Sequence, residues 1–165
     1  KGNYGGSSGS FLWKGKCIMD KVEILEQEQT LQFEAFTHDM GLEIALRVIN
    51  KVKEQAPKPV GIRIVHNGWL ILHYLMDGRK ESPWLNRKEK TVLDSGHSSL
   101  YTFLFMDEVP EYKEWESSEE YAICGGGFPI IENEKVTGAI CVSGLDHLED
   151  HRLIVESIEE VLAIA

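Results

Sequence analysis

Basic residues are scarce in this sequence. Seventeen Lys and Arg stand against 27 Asp and Glu, for a net charge of −10. Nucleic-acid binding needs a basic face that neutralises phosphates, so this balance excludes nucleic acid as a partner class, and an anionic membrane surface with it. No apolar run approaches the roughly 18 residues that span a bilayer. Cysteine is also sparse: Cys17, Cys124 and Cys141 form no CxxC pair and no zinc-type spacing with His. An odd count without a signal peptide reads as reduced thiols in a cytoplasmic chain, with Cys124 and Cys141 serving as small buried hydrophobes.

What remains is the composition of one globular domain: 165 residues, 42% hydrophobic and 27% charged. Residues 1–18 are Gly/Ser-rich, carry three Lys and no acid, and read as a tag or vector-derived extension ahead of a single domain over 19–165. Val22–Gln29 is a short acidic helix. Leu31–Phe36 alternates apolar and polar and predicts a strand. Thr37 or Asp39 caps a helix in which Leu42, Ala45, Leu46, Ile49 and Val52 recur at helical spacing, and Pro57 and Pro59 close it. Two β-rich runs, 60–66 and 69–75, flank Asn67-Gly68, a type I′ hairpin signal. A helix follows from Trp84 to about Asp94 and is interrupted at Gly96. His97-Ser98-Ser99 then leads into the apolar segment 100–106. The acidic stretch 108–120 reads as a loop with some helix. A second hairpin turns around 132–135, and a last helix runs from about Asp146 to Ala163 with Leu148, Val155, Ile158 and Leu162 on one face. This order predicts an α/β (α+β) fold, a mostly antiparallel five-stranded sheet flanked by helices.

The second hairpin is the most informative stretch. Gly125-Gly126-Gly127-Phe128-Pro129-Ile130 opens it and Gly138-Ala-Ile-Cys-Val-Ser-Gly144 closes it, with Asp150 in the helix beyond. Glycines this dense in a strand cost backbone entropy and packing, which a bulge, a close approach or a ligand on exposed N–H groups would offset. These motifs resemble the GlcG/HbpS-like, or haem-degrading-domain, superfamily. With Leu31-Gln-Phe33, Trp84-Leu-Asn-Arg-Lys88, His97-Ser-Ser99 and Asp150-His151, the chain is most similar to a branch of small stand-alone proteins grouped as an uncharacterised family. The resemblance covers about residues 20–163. It implies a profilin-like sandwich and a homo-oligomer, and relatives that bind haem or corrinoid-type cofactors make a haem-type tetrapyrrole the implied cofactor. A fungal member linked to protein-targeting machinery implies a protein partner instead.

Several side chains are candidates for a site. Arg79, Lys80, Arg87, Lys88 and Lys90 are the densest basic cluster in an acidic chain, suited to ligand carboxylates, to ion pairs between subunits or to a plain solvated face. His97 follows a helix break, where it could act as an axial ligand or lock the break through a backbone carbonyl. His147 and His151, four apart on the last helix, could hold a metal, or form a polar first turn with the acids around them. Ser143 lacks the context of a known triad and is explained as a helix cap, as is Asp146. The expected site is a cleft in which Trp84 or Phe128 packs on a ring, Arg87, Lys88 and Gly125–Gly127 hold carboxylates, and His97 is the axial or polarising group. The function read from this is binding of a small anionic or tetrapyrrole-like ligand. The alternatives are a protein-interaction scaffold without a small ligand, and an enzyme of unassigned reaction.

Overall fold

The computed structural model describes residues 20–56 and 58–164, so the extension expected at 1–18 and Cys17 lie outside the described residues. The elements are α1 (Lys21–Thr30), α2 (His38–Gln55), β1 (Gly61–His66), β2 (Trp69–Leu75), α3 (Trp84–Ser95), α4 (Ser99–Leu104), α5 (Pro110–Glu116), β3 (Gly127–Glu132), β4 (Lys135–Ser143) and α6 (His147–Ile164). Local signals set most of these boundaries. Asp20 and Thr37 accept the N–H groups of Glu23 and Met40 at the starts of α1 and α2. Gly96 ends α3 in the left-handed conformation, and Ser98 starts α4 by accepting the Tyr101 N–H. Asn67 and Gly68 both take positive φ, as a two-residue type I′ turn demands.

The strands form one antiparallel sheet in the order β2-β1-β4-β3, with β1 and β4 central. Helices cover both faces. On one face α2 and α6 pack Ile44, Val48, Leu153, Ile154 and Ile158 against Ile62, Ile64, Phe128, Ile130, Ile140 and Val142. On the other, α3 sets Leu85 and Val92 over Val65, Ala139 and Cys141. Within the described residues no helix is long and apolar enough to cross a membrane.

The sheet has four strands among the described residues, against the five expected. Leu31–Phe36 buries Leu31 and Phe33 as its alternation predicts, but the period breaks at Ala35, which is exposed, and Phe36, which is buried, and the segment makes only a parallel bridge from Phe33 to Glu132. Its ladder stops there because the Glu132 carboxylate, rather than a strand carbonyl, accepts the Phe36 N–H at 2.7 Å. The apolar segment after His97 is the short helix α4, and the acidic stretch holds α5.

Close backbone approach explains Gly138. A Cβ there would run into the Val65 carbonyl oxygen and lie 3.0 Å from His66 Cα. Gly138→Ala is therefore expected to lose about 3 kcal/mol in urea denaturation. Gly68→Ala, where a Cβ meets nothing within 4 Å and only the φ of 82° is strained, should lose about 1 kcal/mol. Equal midpoints for the two variants would contradict the β1–β4 register.

Candidate functional site

The chain segments leaving β2 and β4 converge with the start of α6 on a cleft of about 270 Å³. Arg79, Trp84, Lys88, Cys124, Ser143, Gly144, Leu145, His147 and Asp150 line it. At its floor Lys88 and Asp150, 3% and 1% exposed, meet at 3.2 Å. The Lys88 ammonium also donates to the Val142 carbonyl at 2.8 Å. The Asp150 carboxylate accepts the backbone N–H groups of Leu145 at 3.0 Å and Gly144 at 3.4 Å. Burial raises its pKa to about 6, although Lys88 and the two N–H groups favour the ion.

Arg79 is held differently. Its guanidinium donates to the hydroxyls of Ser143 at 3.0 Å and Ser82 at 3.3 Å. Among the described residues no carboxylate lies within ion-pair distance of it. The remaining arginines are engaged: Arg47 with Glu160, Arg63 with Glu89, Arg152 with Glu149 and Glu156, and Arg87 with the carbonyls of Tyr121 and Ser118. Trp84 is 41% exposed, and the Arg87 guanidinium lies 4.2 Å from its ring. His147 Nδ1 accepts the Gly125 N–H at 2.8 Å, which puts the proton of the neutral ring on Nε2. Burial lowers its pKa, so the ring is a neutral donor. Burial also pushes the Cys124 thiol up.

Of the residues expected at a ligand site, Trp84 and Lys88 line this cleft. Arg87 does not; it ties α3 to the 118–121 segment. The glycine run is a packing device rather than an open row of N–H donors. A Cβ at Gly125 would strike the His147 carbonyl, one at Gly126 the Lys88 ammonium and the Val142 oxygen, and one at Gly127 would come within 2.9 Å of Val92. Two of the three N–H groups are already used, by His147 and by Ser99 Oγ. Phe128 is fully buried in the core and offers no ring to a ligand. His97 stands outside the cleft lining. Its Nδ1 meets the Glu28 carboxylate at 2.7 Å, and its ring stacks on Tyr101 at 3.7 Å.

One ring nitrogen of each of His147 and His151, the pair expected to hold a metal, is engaged. The Nδ1 of His147 is occupied by Gly125, and the Nε2 of His151 faces Gln27 Oε1 at 2.7 Å. No group of three or more metal-type side chains occurs among the described residues. Sequence reasoning placed Arg79 in the basic cluster but missed Ser143 and Asp150 as its neighbours. The signal was in the spacing: Ser143-Gly144 leaves a strand six residues before Asp150, near enough for the carboxylate to cap the turn between them.

A second depression, about 210 Å³, lies beside Lys51, Gln55, Lys58 and Arg152, where Lys51 and Arg152 are matched by Glu149, Glu156 and Glu160 and Lys58 has no ion pair among the described residues.

Residues 36–159 match the family described as haem degrading protein, HbpS-like. The chain belongs to this family. Relatives of this HbpS-like chain include the UPF0303 protein YBR137W of Saccharomyces cerevisiae, 33% identical over 156 residues that cover 89% of this chain and 86% of the relative. The UPF0303 protein SCO2848 of Streptomyces coelicolor is 32% identical over 147 residues, 86% and 92% of the two chains. The crystal structure of Ybr137w aligns with a TM-score of 0.76 at 31% identity over 87% of each chain. The PduOC:Heme complex, at 15% identity, a TM-score of 0.65 and coverage of 76% of this chain and 94% of that one, shares the fold.

His151 gives the site a measurable acid signature. It is fully buried, its Nδ1 has no hydrogen-bond partner, and burial together with His147 lowers its pKa from 6.5 to about 3. A depressed pKa contributes stability that is complete above the unfolded value of 6.5 and is lost as pH falls towards 3. Asp150 acts oppositely: its raised pKa favours the fold below its unfolded value of 3.8 and loses that contribution as pH rises through 6. His151→Gln should therefore gain on the parent chain by up to about 1.4 kcal/mol per pH unit below pH 6.5, read as paired urea titrations. Parallel stability curves for the two proteins would contradict a neutral buried His151.

Proposed function

We propose that this chain binds a small anionic ligand in the cleft between Arg79, Trp84 and His147. One observation carries the reading: Arg79 is held by neutral hydroxyls, in a chain whose other arginines are matched to acids or carbonyls. A guanidinium fixed in this way keeps donors for a ligand carboxylate without first breaking an ion pair. The Nε2–H of His147 adds a neutral donor, and the exposed ring of Trp84 adds flat apolar surface. A volume of about 270 Å³ suits a molecule of one or two rings rather than the whole body of a tetrapyrrole. Benzoate, titrated calorimetrically into the full chain, is a direct probe. Arg79→Gln should weaken binding by about tenfold or more, the worth of one charge-assisted hydrogen bond, while leaving the denaturation midpoint in place. Failure of the parent chain to bind, or equal binding by the variant, sinks the reading.

A haem-type ligand is a second reading, and it concerns His97. Support comes from membership of the HbpS-like family, from the haem complex of a relative with this fold, and from the geometry at Glu28. A carboxylate on Nδ1 fixes the tautomer and leaves the Nε2 lone pair for a metal, the usual arrangement of a ligating imidazole. Glu28 also accepts the Ser98 N–H at 2.8 Å, which locks the pair in place. In this reading His97 would hold the iron and Tyr101 would support the ring of His97; the redox and Lewis-acid chemistry would belong to the bound iron. Titration with haemin should shift the Soret band in the parent chain and not in His97→Ala. An identical shift in both would remove His97 from this role.

A further inference from the structure

Building on the anion-cleft reading, we propose that the cleft is a charge filter: it takes a ring-bearing monoanion and disfavours the dianion of the same shape, with Asp150 as the residue that sets the limit. The charged and titratable groups around Asp150 are Lys88 from α3, Arg79 from the segment ahead of α3, Cys124 from the segment ahead of β3, and Asp146 and His147 at the start of its own helix. The charge of Lys88 is matched by Asp150 at 3.2 Å, and the ammonium turns a second donor to the Val142 carbonyl. Cys124 stays a thiol and His147 a neutral ring. Arg79 is therefore the one unmatched charge among the residues lining the cleft.

A monoanion on Arg79 brings that balance to zero. A second negative charge would meet no further unmatched cation among the residues lining the cleft, a lining that already carries the Asp150 carboxylate. An unmatched charge in such surroundings is unfavourable. Lys88 is the cation that could answer it, and Asp150 withholds it. The ring preference follows from Trp84, whose exposed indole carries the Arg87 guanidinium.

The test uses two ligands of one shape and different charge, at about pH 8, well above the value near 6 at which Asp150 titrates. Benzenesulfonate is a monoanion there and phenyl phosphate a dianion; inorganic sulfate has no ring. Calorimetry on the full chain should give benzenesulfonate about tenfold tighter binding than phenyl phosphate, with sulfate weaker than benzenesulfonate. Asp150→Asn, which leaves Lys88 unmatched, should erase or invert that ratio. Phenyl phosphate binding as tightly as benzenesulfonate to the parent chain overturns the filter and leaves the anion cleft standing. A folded Asp150→Asn protein that keeps the parent ratio overturns the role of Asp150. Sulfate binding as tightly as benzenesulfonate overturns the ring preference. If the variant does not fold, the parent ratio decides alone. Binding of none of the three overturns the anion cleft, and the filter with it.

Discussion

An ammonium and a carboxylate, both withdrawn from water, hold the two faces of this molecule together. Lys88 belongs to α3 on one side of the sheet and Asp150 to α6 on the other, and they meet beyond the end of β4. A buried ion pair gains little unless further hydrogen bonds satisfy each ion. Here they do: Val142 O serves the ammonium, and the N–H groups of Gly144 and Leu145 serve the carboxylate. These partners are the last residue but one of β4 and the turn that leaves it, so the pair also fixes the path from strand to helix. Gly126 is part of the same arrangement, because any side chain there would occupy the place of the ammonium.

The cleft inherits its character from this pair. A wall that contains a lysine and an aspartate looks highly charged in a residue inventory. In three dimensions the two cancel, and the polarity of the cleft is left to a guanidinium on two serine hydroxyls and a neutral imidazole. The basic cluster of the sequence separates along the same lines. Lys88 turns inward, Arg87 clasps backbone carbonyls, and Lys90 pairs with Asp94 and Glu120. Arg79 differs from the other arginines in its partners and not in its residue type.

Periodicity and turn chemistry made most of the fold legible in the sequence. The Asn67-Gly68 hairpin, the glycine-rich hairpin, the Gly96 break and the α2 and α6 stripes are all local, and local rules found them. Leu31–Phe36 was legible only in part. Its alternation reports Leu31 and Phe33 as buried but misses the switch from Ala35 to Phe36, and burial does not specify a hydrogen-bonding partner: Glu132 takes the place of a ladder at Phe36. The site was less legible for a similar reason. Ser143 and Asp150 belong to the glycine-rich motif, but nothing in the sequence ties them to Arg79 until the sheet brings the three together. Conversely, the triple glycine looks like a ligand loop in one dimension because the close approach of α3 and α6 that requires it is visible only in the packed molecule. Gly126, plausible beside a ligand when read from sequence, is claimed by Lys88, whereas Glu28 anchors His97 through Nδ1 alone.

The helix α1 joins the rest of the domain through its side chains. After it the chain touches the sheet at the Phe33 bridge and the Glu132 carboxylate, while α1 itself packs on α4. This helix supplies Glu28 to His97 and Gln27 to His151, two imidazoles on different elements. A local opening of α1 that left the four-stranded sheet intact would free both imidazoles from their side-chain partners in one event.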